Sequence, residues 1–366
     1  MQENKTMPLF LAALNPYTVI NEVENVEKKV TGKDYVIWGS DNKYPHYLYS
    51  LYTDCATLQS IINGTADYVC GDDATINIAQ FATKVNKKGE TIRDIIQKIA
   101  MDYVIFGAFS LEIHRNLGGE VAEIYWLDVS KIRSDEKNEV FYFSEDWNKS
   151  YGRVKTLVYP KFSQNDTNAT SIFYFKNNKS RGVYGCPMWA SAVKNVAIDI
   201  AISDFHYNEI NNNFLTSKLI SFNNGIPDDE MKNEIERNLN EKFSGSGNAG
   251  RVMISFAQSK ENAPEILNLA SDDFDKRYET LEKRNNEQIF VAFRATPVLF
   301  GMINSANGFS TNEYSDSYKL FNRTVVQPMQ KDIVDSLCKI FGNDNAVEIK
   351  PFTIDFEEDN EEENVA

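Results

Sequence analysis

The chain has 366 residues, of which 42% are hydrophobic and 25% charged, so it can fill a sizeable core in one or two domains. Its formal net charge is −15, whereas a protein that grips duplex DNA by neutralising phosphates should be basic. The sequence contains no run of about eighteen apolar residues, so it predicts no membrane-spanning helix. Its four cysteines are scattered, which indicates reduced thiols rather than zinc or disulfide sites.

The N-terminal half combines helices with β-strands. Apolar residues recur on one face over 56–69 and predict a helix, and a second helix should begin close to Thr91. From Gly107 the hydrophobic period changes to two, "NLGG" at 116–119 is a turn, and Val121–Leu127 returns as a second strand. This pattern predicts a β-hairpin.

The C-terminal half has two long helices around an α/β insertion. The punctuated stretch "SRGVYGCPMW" leads into a helix that should end near Asn211. Two strand patterns, a helix pattern and the loop "GSGNAG" make a compact insertion over 213–270. A charged helix follows over 272–294, supported by opposite charges four residues apart. After an apolar loop, a long helix over 312–341 should bend at Pro328.

No constellation of catalytic, metal-binding or nucleotide-binding residues is evident. The P-loop pattern is absent, and "GSGNAG" follows a helix and precedes a strand, the reverse of the order in a dinucleotide fold. The three histidines are far apart, and the acid pairs at 228–229 and 272–273 fit helix N-termini better than metal sites. The sequence therefore predicts a non-enzyme without cofactor or metal.

Three phrases keep a characteristic order and spacing between residues 102 and 329. They are "DYVIFGAFSLEIHRNLGGEVAEIYWLDVSKIR" (102–133), "GVYGCPMWASAVKNVA" (182–197) and "IFVAFRATPVLFGMINSANGFSTNEYSDSYKLF" (289–321), the last followed by "VQPM" (326–329). Together they make the chain resemble the HK97-like portal proteins of tailed bacteriophages. It departs from the usual pattern where Gly107-Ala108-Phe109 replaces Gly-Asn-Ala and Cys186-Pro187 replaces Ser-Pro.

The resemblance implies an α+β portal fold that assembles into a ring. Residues 1–180 would form the N-terminal part of an α/β wing, 181–212 the first stem helix, 213–270 the clip, 271–294 the second stem helix, 295–311 the tunnel loop, and 312–355 the long wing helix and a terminal strand. The acidic residues 356–366 would be a disordered tail. The crown that many portals carry would be reduced or absent.

The same resemblance implies a role in the virion, after assembly in the bacterial host cytoplasm. A ring of about twelve subunits would sit at one capsid vertex beside the major capsid protein, as the channel for genome packaging and ejection. The large terminase ATPase and then a neck or tail adaptor would dock on it, since this chain has no nucleotide site of its own. The predicted docking residues of the clip are Asn223, Asn224, Asp228, Asp229, Lys232 and Glu236.

A loop lining the narrowest point of a DNA channel needs contact without adhesion. Apolar side chains give dispersion contact, and the net negative charge limits sticking, while a few basic side chains on the stem allow transient contacts with passing double-stranded DNA. We expect an aspartate at Leu299 or Phe300 to impair packaging and leave rings intact. The predicted channel residues are Pro297, Val298, Leu299, Phe300, Gly301, Met302, Ile303 and Asn304 in the loop, and Lys276, Arg277, Lys283 and Arg284 on the stem.

Three other interpretations remain open. The apolar loop could simply be buried core between helices. The chain could be another phage neck or head–tail connector component, although those are usually shorter and lack a hairpin followed by two helices that flank an insertion. It could also be an enzyme with a site assembled from scattered Asp and Tyr residues, which need not form a large ring.

Overall fold

The computed structural model describes residues 12–13, 25–30, 32–147, 156–211, 218–222, 228, 230–231, 233–234, 237, 252–256, 274–301 and 311–353. The chain divides into two compact units. The smaller unit comprises residues 1–21 and 197–285, and the larger comprises residues 22–196 and 286–366. The smaller unit therefore contains the whole of the predicted clip.

Helices and strands are mixed along the chain, as predicted for an α+β fold. The described helices are α1 (Tyr44–Asp54), α2 (Ala56–Cys70), α3 (Ile92–Phe106), α4 (Val193–Asn211), α5 (Phe274–Phe293), α6 (Thr311–Phe321) and α7 (Gln327–Phe341). The described strands are β1 (Ala12–Ala13), β2 (Glu27–Lys29), β3 (Val36–Trp38), β4 (Asp73–Ile76), β5 (Ala108–Arg115), β6 (Val121–Trp126), β7 (Ile132–Ser134), β8 (Val140–Phe143), β9 (Leu157–Pro160), β10 (Thr170–Lys176), β11 (Lys218–Phe222), β12 (Val252–Phe256) and β13 (Val347–Lys350).

The core of the larger unit is built on α2 and α3. The predicted apolar face of α2 is fully or almost fully buried. Burial of each large aliphatic side chain stabilises the fold by about 1.5–3 kcal/mol. Helix α3 begins where predicted, because Thr91 accepts a hydrogen bond from the backbone N–H of Asp94, whose side chain in turn accepts from the backbone of Thr91. It ends at Gly107, in the left-handed conformation that favours glycine.

The predicted hairpin is confirmed as the antiparallel pair β5–β6, and β10 pairs with the other edge of β5. The residue just before β5 must be a glycine, because a Cβ at Gly107 would lie 2.2 Å from the backbone oxygen of Cys186. The side-chain amide of Asn177 donates to that same oxygen. This close approach links the first two phrases of the resemblance, which are far apart in sequence.

In the described part of the larger unit there are three smaller sheets. Strands β7, β8 and β9 form an antiparallel meander, β2 pairs with β3, and β4 pairs with β13 near the C-terminus. The register of the last pair sets Lys350 opposite Asp73. Residues 347–350 therefore return to the end of α2, which β4 follows directly.

The predicted long C-terminal helix is interrupted by one π-helical turn, Asn322–Val326, between α6 and α7. Pro328 lacks a backbone N–H and its ring crowds the carbonyl group four residues earlier, which a wider turn accommodates. The irregularity predicted at Pro328 therefore lies in the turn just before it. Helix α7 then ends at Gly342, which is left-handed.

The smaller unit contains a sheet in the order β1-β12-β11. The parallel pair β11–β12 confirms both strands predicted in the insertion, and β1 adds an antiparallel edge that the sequence did not predict. Parallel neighbours need a long crossover connection, and the helical residues at 230–231, 233–234 and 237 belong to the segment that supplies it. The helices predicted on either side, over 181–212 and 271–294, correspond to α4 and α5, but α4 begins only at Val193. The residues from 181 to 189 are not helical, in keeping with Gly182, Gly185 and Pro187.

The guanidinium of Arg133 is a buried charge in the larger unit. Among the described residues, no carboxylate lies within salt-bridge distance of it. Arg133 is fully buried, its Nε donates to the side-chain oxygen of Asn42 at 2.5 Å, and Nη2 donates to the Asn42 backbone oxygen at 2.7 Å. Its guanidinium also lies over the rings of Trp38 and Trp147. Burial lowers the pKa of Arg133 to about 10. The cluster ties the N-terminal strands to β7.

Candidate functional site

The predicted tunnel loop begins with a sharp exit from α5. Arg294 has φ 56°, its N–H donates to Val291, and the N–H of Ala295 donates to the oxygen of Phe290. These two bonds are a Schellman motif with an arginine where glycine is common. Pro297–Phe300 then form a single 3-10 turn, called the loop turn below, and Gly301 follows with φ 80°.

The loop turn is packed against other parts of the larger unit. Leu299 is only 6% exposed. The half-buried ring of Phe300 contacts Phe321 edge-on at 5.8 Å and lies over Gly64 of α2, where an added Cβ would be 2.8 Å from two ring carbons. A glycine inside a helix often marks such a close approach. The sequence therefore held a signal at Gly64, but it did not indicate that Phe300 is the residue that packs there.

Tyr68 of α2 fixes the backbone of the loop turn. Its hydroxyl donates to the oxygen of Leu299 at 3.2 Å and lies 3.0 Å from the hydroxyl of Tyr314, while Ser60 donates to the oxygen of Phe300 at 3.4 Å. Burial raises the pKa of Tyr68, and it raises that of neighbouring Tyr318 to about 12. Both phenols stay neutral near pH 7, so they hold the backbone through neutral hydrogen bonds.

These contacts locate the first half of the predicted channel residues. Pro297 and Val298 are half-buried and Gly301 is exposed, while Met302, Ile303 and Asn304 lie outside the described residues. Leu299 and Phe300 are engaged in the fold of the single chain. Our expectation that an aspartate at either position leaves the ring intact therefore has no support in these contacts, because the charge would enter an aromatic cluster.

The basic residues predicted on the stem lie on α5. Lys283 and Arg284 are exposed, among exposed acids such as Glu279 and Glu282. Lys276 and Arg277 are also in α5, but their side chains lie outside the described part of the chain. The described surface of α5 between residues 279 and 284 is thus charged and open.

Only one of the predicted docking residues of the clip can be placed. Asp228 is exposed, and its carboxylate accepts a hydrogen bond at 2.8 Å from the N–H of Met231. This bond is typical of a helix N-cap and agrees with the interpretation of the acid pair as a helix N-terminus. Asn223, Asn224, Asp229, Lys232 and Glu236 lie outside the described residues.

Sequence reasoning missed one strongly perturbed carboxyl group. Burial raises the pKa of Asp102 well above its usual range, and nearby Asp128 raises it further. The indole N–H of Trp126 donates to Asp102 at 2.8 Å, which fixes α3 to β6. Apolar positions dominate both segments, so the pattern gave no signal for this pair.

The described residues contain no group of three or more His, Cys, Asp or Glu that could hold a metal ion. Cys55, Cys70, Cys186 and Cys338 are free thiols. Within the same described part of the chain, no helix is both long and apolar enough to cross a membrane. The loop turn is held in place by apolar packing and by hydrogen bonds from uncharged side chains.

Comparison with known proteins gives one family and several related folds. The family model described as "Phage portal protein" matches residues 78–362. No curated protein matches the chain. The chain is also similar to several solved structures. Each shares less than 25% sequence identity with it, so these similarities show the fold alone.

Among the solved structures, one described as "Virion of native gene transfer agent (GTA) particle" has a TM-score of 0.55 at 14% identity, over 84% of each chain. Another, "Neck of native GTA particle computed with C12 symmetry", has a TM-score of 0.53 at 15% identity, again over 84% of each chain. An HK97 family phage portal protein from Corynebacterium diphtheriae has a TM-score of 0.49 at 12% identity, over 83% of this chain and 93% of that one.

Proposed function

Because the chain belongs to the phage portal protein family, we propose that it forms a ring at one capsid vertex and serves there as the channel for genome packaging and ejection. The match of residues 78–362 to the family model is the observation that carries this proposal. The role is structural rather than catalytic. The same ring would be the docking platform for the large terminase ATPase and afterwards for neck and tail proteins.

The ring would hold twelve copies. A similar fold occurs in a particle neck computed with C12 symmetry, and the family match makes a comparable closed ring the natural assembly of this chain. A ring of identical subunits uses a head-to-tail interface that closes by rotation. The exposed surface of α5 carries positively and negatively charged side chains that could pair across such an interface.

We assign the parts of the chain as the sequence predicted, with one change. The wing comprises residues 22–180 together with 312–355, the stem consists of α4 and α5, and the clip is residues 213–270. Residues 1–21, predicted as part of the wing, are assigned with the clip, because they belong to the same compact unit and β1 pairs with β12. The parallel pair β11–β12 gives the clip a sheet of its own, which favours a folded docking surface over a flexible loop. The motor that contacts it would be a separate ATPase.

Double-stranded DNA would pass with weak, sequence-independent contacts. The net charge of −15 opposes strong retention of phosphates, and the loop turn carries no charged side chain between Pro297 and Gly301. In this proposal the anchored turn holds the loop at a fixed place, and the loop residues beyond Phe300, together with the exposed half of Val298, face the DNA. The major capsid protein would surround the wing in the virion.

Another neck component is the second candidate, because one similar fold is described as part of a particle neck. The two functions differ in position. A portal enters the shell during capsid assembly, whereas a neck component joins a filled head. Co-expression with the major capsid protein, in the absence of other tail proteins, separates them.

The proposal is tested by native mass spectrometry and negative-stain imaging of the purified chain, alone and co-expressed with its capsid protein. We expect a ring of about twelve copies, as in the C12 neck, with a central hole wide enough for duplex DNA. Incorporation into shells at a single vertex would support the portal role. A chain that stays monomeric at high concentration and also fails to enter co-expressed capsids would contradict it.

A further inference from the structure

The C-terminal segment Pro351–Thr353, called the strap below, is fastened at the end of α2. The N–H of Asp72 donates to the oxygen of Lys350 at 3.1 Å. In return, the N–H and the hydroxyl of Thr353 donate to one carboxylate oxygen of Asp72 at 3.1 and 2.7 Å. The hydrogen bond from the Thr353 hydroxyl lowers the pKa of the Asp72 carboxyl group. The strap is therefore attached on both sides of Phe352.

This attachment places Phe352 against the residue that holds the loop turn. The ring of Phe352 meets Tyr68 edge-on at 5.1 Å, and the hydroxyl of Tyr318 donates to the backbone oxygen of Phe352 at 2.9 Å. Tyr68 is 7% exposed, and its ring also meets Phe300 at 6.2 Å. One side chain thus contacts both the strap and the loop turn, which are about fifty residues apart in the chain.

We propose that Tyr68 is a positioning residue through which the strap orders the loop turn. The ring of Tyr68 packs against aromatic neighbours that include Phe352, and in this arrangement its hydroxyl reaches the oxygen of Leu299. A detached strap removes Phe352, leaves Tyr68 a wider choice of rotamers and weakens the hydrogen bond to the turn. The importance of this coupling for DNA passage rests on the proposed function, whereas the coupling itself does not.

Two amides report directly on the order of the turn. The N–H of Leu299 donates to the oxygen of Thr296 at 3.1 Å, and the N–H of Gly301 donates to the oxygen of Pro297. Hydrogen exchange at such amides measures the free energy of local opening. Exchange of a peptide covering 296–301 is therefore compared with exchange of a peptide covering β5, the central strand of the sheet β10-β5-β6.

The central variant is Thr353→Val, which removes the hydroxyl bond to Asp72 and keeps the size of the side chain. Phe352→Leu tests the ring contact, and Tyr68→Phe removes the bond to Leu299. Tyr52→Phe is the matched control, because the hydroxyl of Tyr52 in α1 donates to Asn63 of α2. Among the described residues, no hydrogen bond or ring contact joins Tyr52 to the strap. All are measured on the full-length chain without DNA.

We expect Thr353→Val and Phe352→Leu to accelerate exchange at 296–301 about threefold to tenfold, as for the loss of one hydrogen bond, with β5 unchanged. Tyr68→Phe should do the same, and Thr353→Val should add little in the Tyr68→Phe background because the coupling is then already lost. The control should exchange like the unaltered chain.

Unchanged exchange at 296–301 in both strap variants would overturn the proposal, and so would full additivity of Thr353→Val and Tyr68→Phe. Equal acceleration in β5 would also contradict it, since it would indicate general loosening. Failure of the proposed function is seen separately in genome filling. Rings whose turn responds to the strap but whose variants fill heads normally would support the coupling and count against a role of the loop in DNA passage.

Discussion

The loop turn and the charged face of α5 are neighbours in sequence but differ in how the chain uses them. Between Pro297 and Phe300 the side chains are apolar, and Leu299 is buried while Tyr68 and Ser60 hold the backbone. Between Glu279 and Arg284 every side chain is exposed, including Leu281 at 39%. An apolar loop in a proposed channel thus serves first as an anchor, whereas the neighbouring charged helix surface is open to a partner.

The largest effect is expected for Leu299→Asp. The substitution removes a buried aliphatic side chain and places a carboxylate at a position that is 6% exposed. The free energy of unfolding should fall by about 3–4 kcal/mol, measured by chemical denaturation. Val291→Asp is the control, because Val291 is 67% exposed in α5 and should change stability by less than about 0.5 kcal/mol. Equal effects would show that the turn is not anchored.

A smaller effect is expected for Gly64→Ala. Alanine gains about 1 kcal/mol of helix propensity, but its Cβ would overlap the ring of Phe300, and overpacking typically costs about 1–3 kcal/mol. We expect a net loss of about 1 kcal/mol, together with faster hydrogen exchange at 296–301. Gly64→Ala in a Phe300→Ala background serves as the control, because it keeps the propensity gain and removes the ring that the added Cβ would overlap. A net gain of stability would mean that Phe300 does not lie on α2.

The smallest effect on the fold is expected for the double variant Lys283→Ala/Arg284→Ala. Both side chains are exposed, so the free energy of unfolding should change by less than about 0.5 kcal/mol. Weak binding of duplex DNA to assembled rings should nevertheless lose part of its salt dependence, by a slope of about one for each phosphate contact removed. A loss of stability comparable with that of Leu299→Asp would erase the contrast between the two regions.

Local patterns predicted most of the elements in this fold. The period-two run after Gly107 and the turn at 116–119 predicted the β5–β6 hairpin, and the helices α2, α3, α4 and α5 followed from apolar spacing, caps and charge pairs. Each of these signals is confined to a few neighbouring residues. Pairings between distant segments had no such signal, and the β1–β12 and β4–β13 pairs were not predicted.

The sequence predicted that the loop lies between α5 and α6, but it did not predict the contacts of the loop turn. The apolar composition of the loop was evident, yet composition alone does not distinguish a channel lining from a buried anchor. Tyr68 was missed because it lies in an ordinary amphipathic helix, and its importance arises only where α2, the loop turn and the strap meet. Gly64 was the one local hint, since a glycine within a helix often marks close packing.

Photocrosslinking tests whether DNA passes the loop turn inside a ring. A photoreactive aromatic residue is introduced at half-buried Val298 and, as a control, at Val158 of β9, which is 59% exposed. Particles arrested during packaging are irradiated and the yield of protein–DNA adducts is measured. We expect adducts at Val298 and few at Val158. Equal yields at the two positions, or none at Val298 in particles that contain DNA, would contradict it.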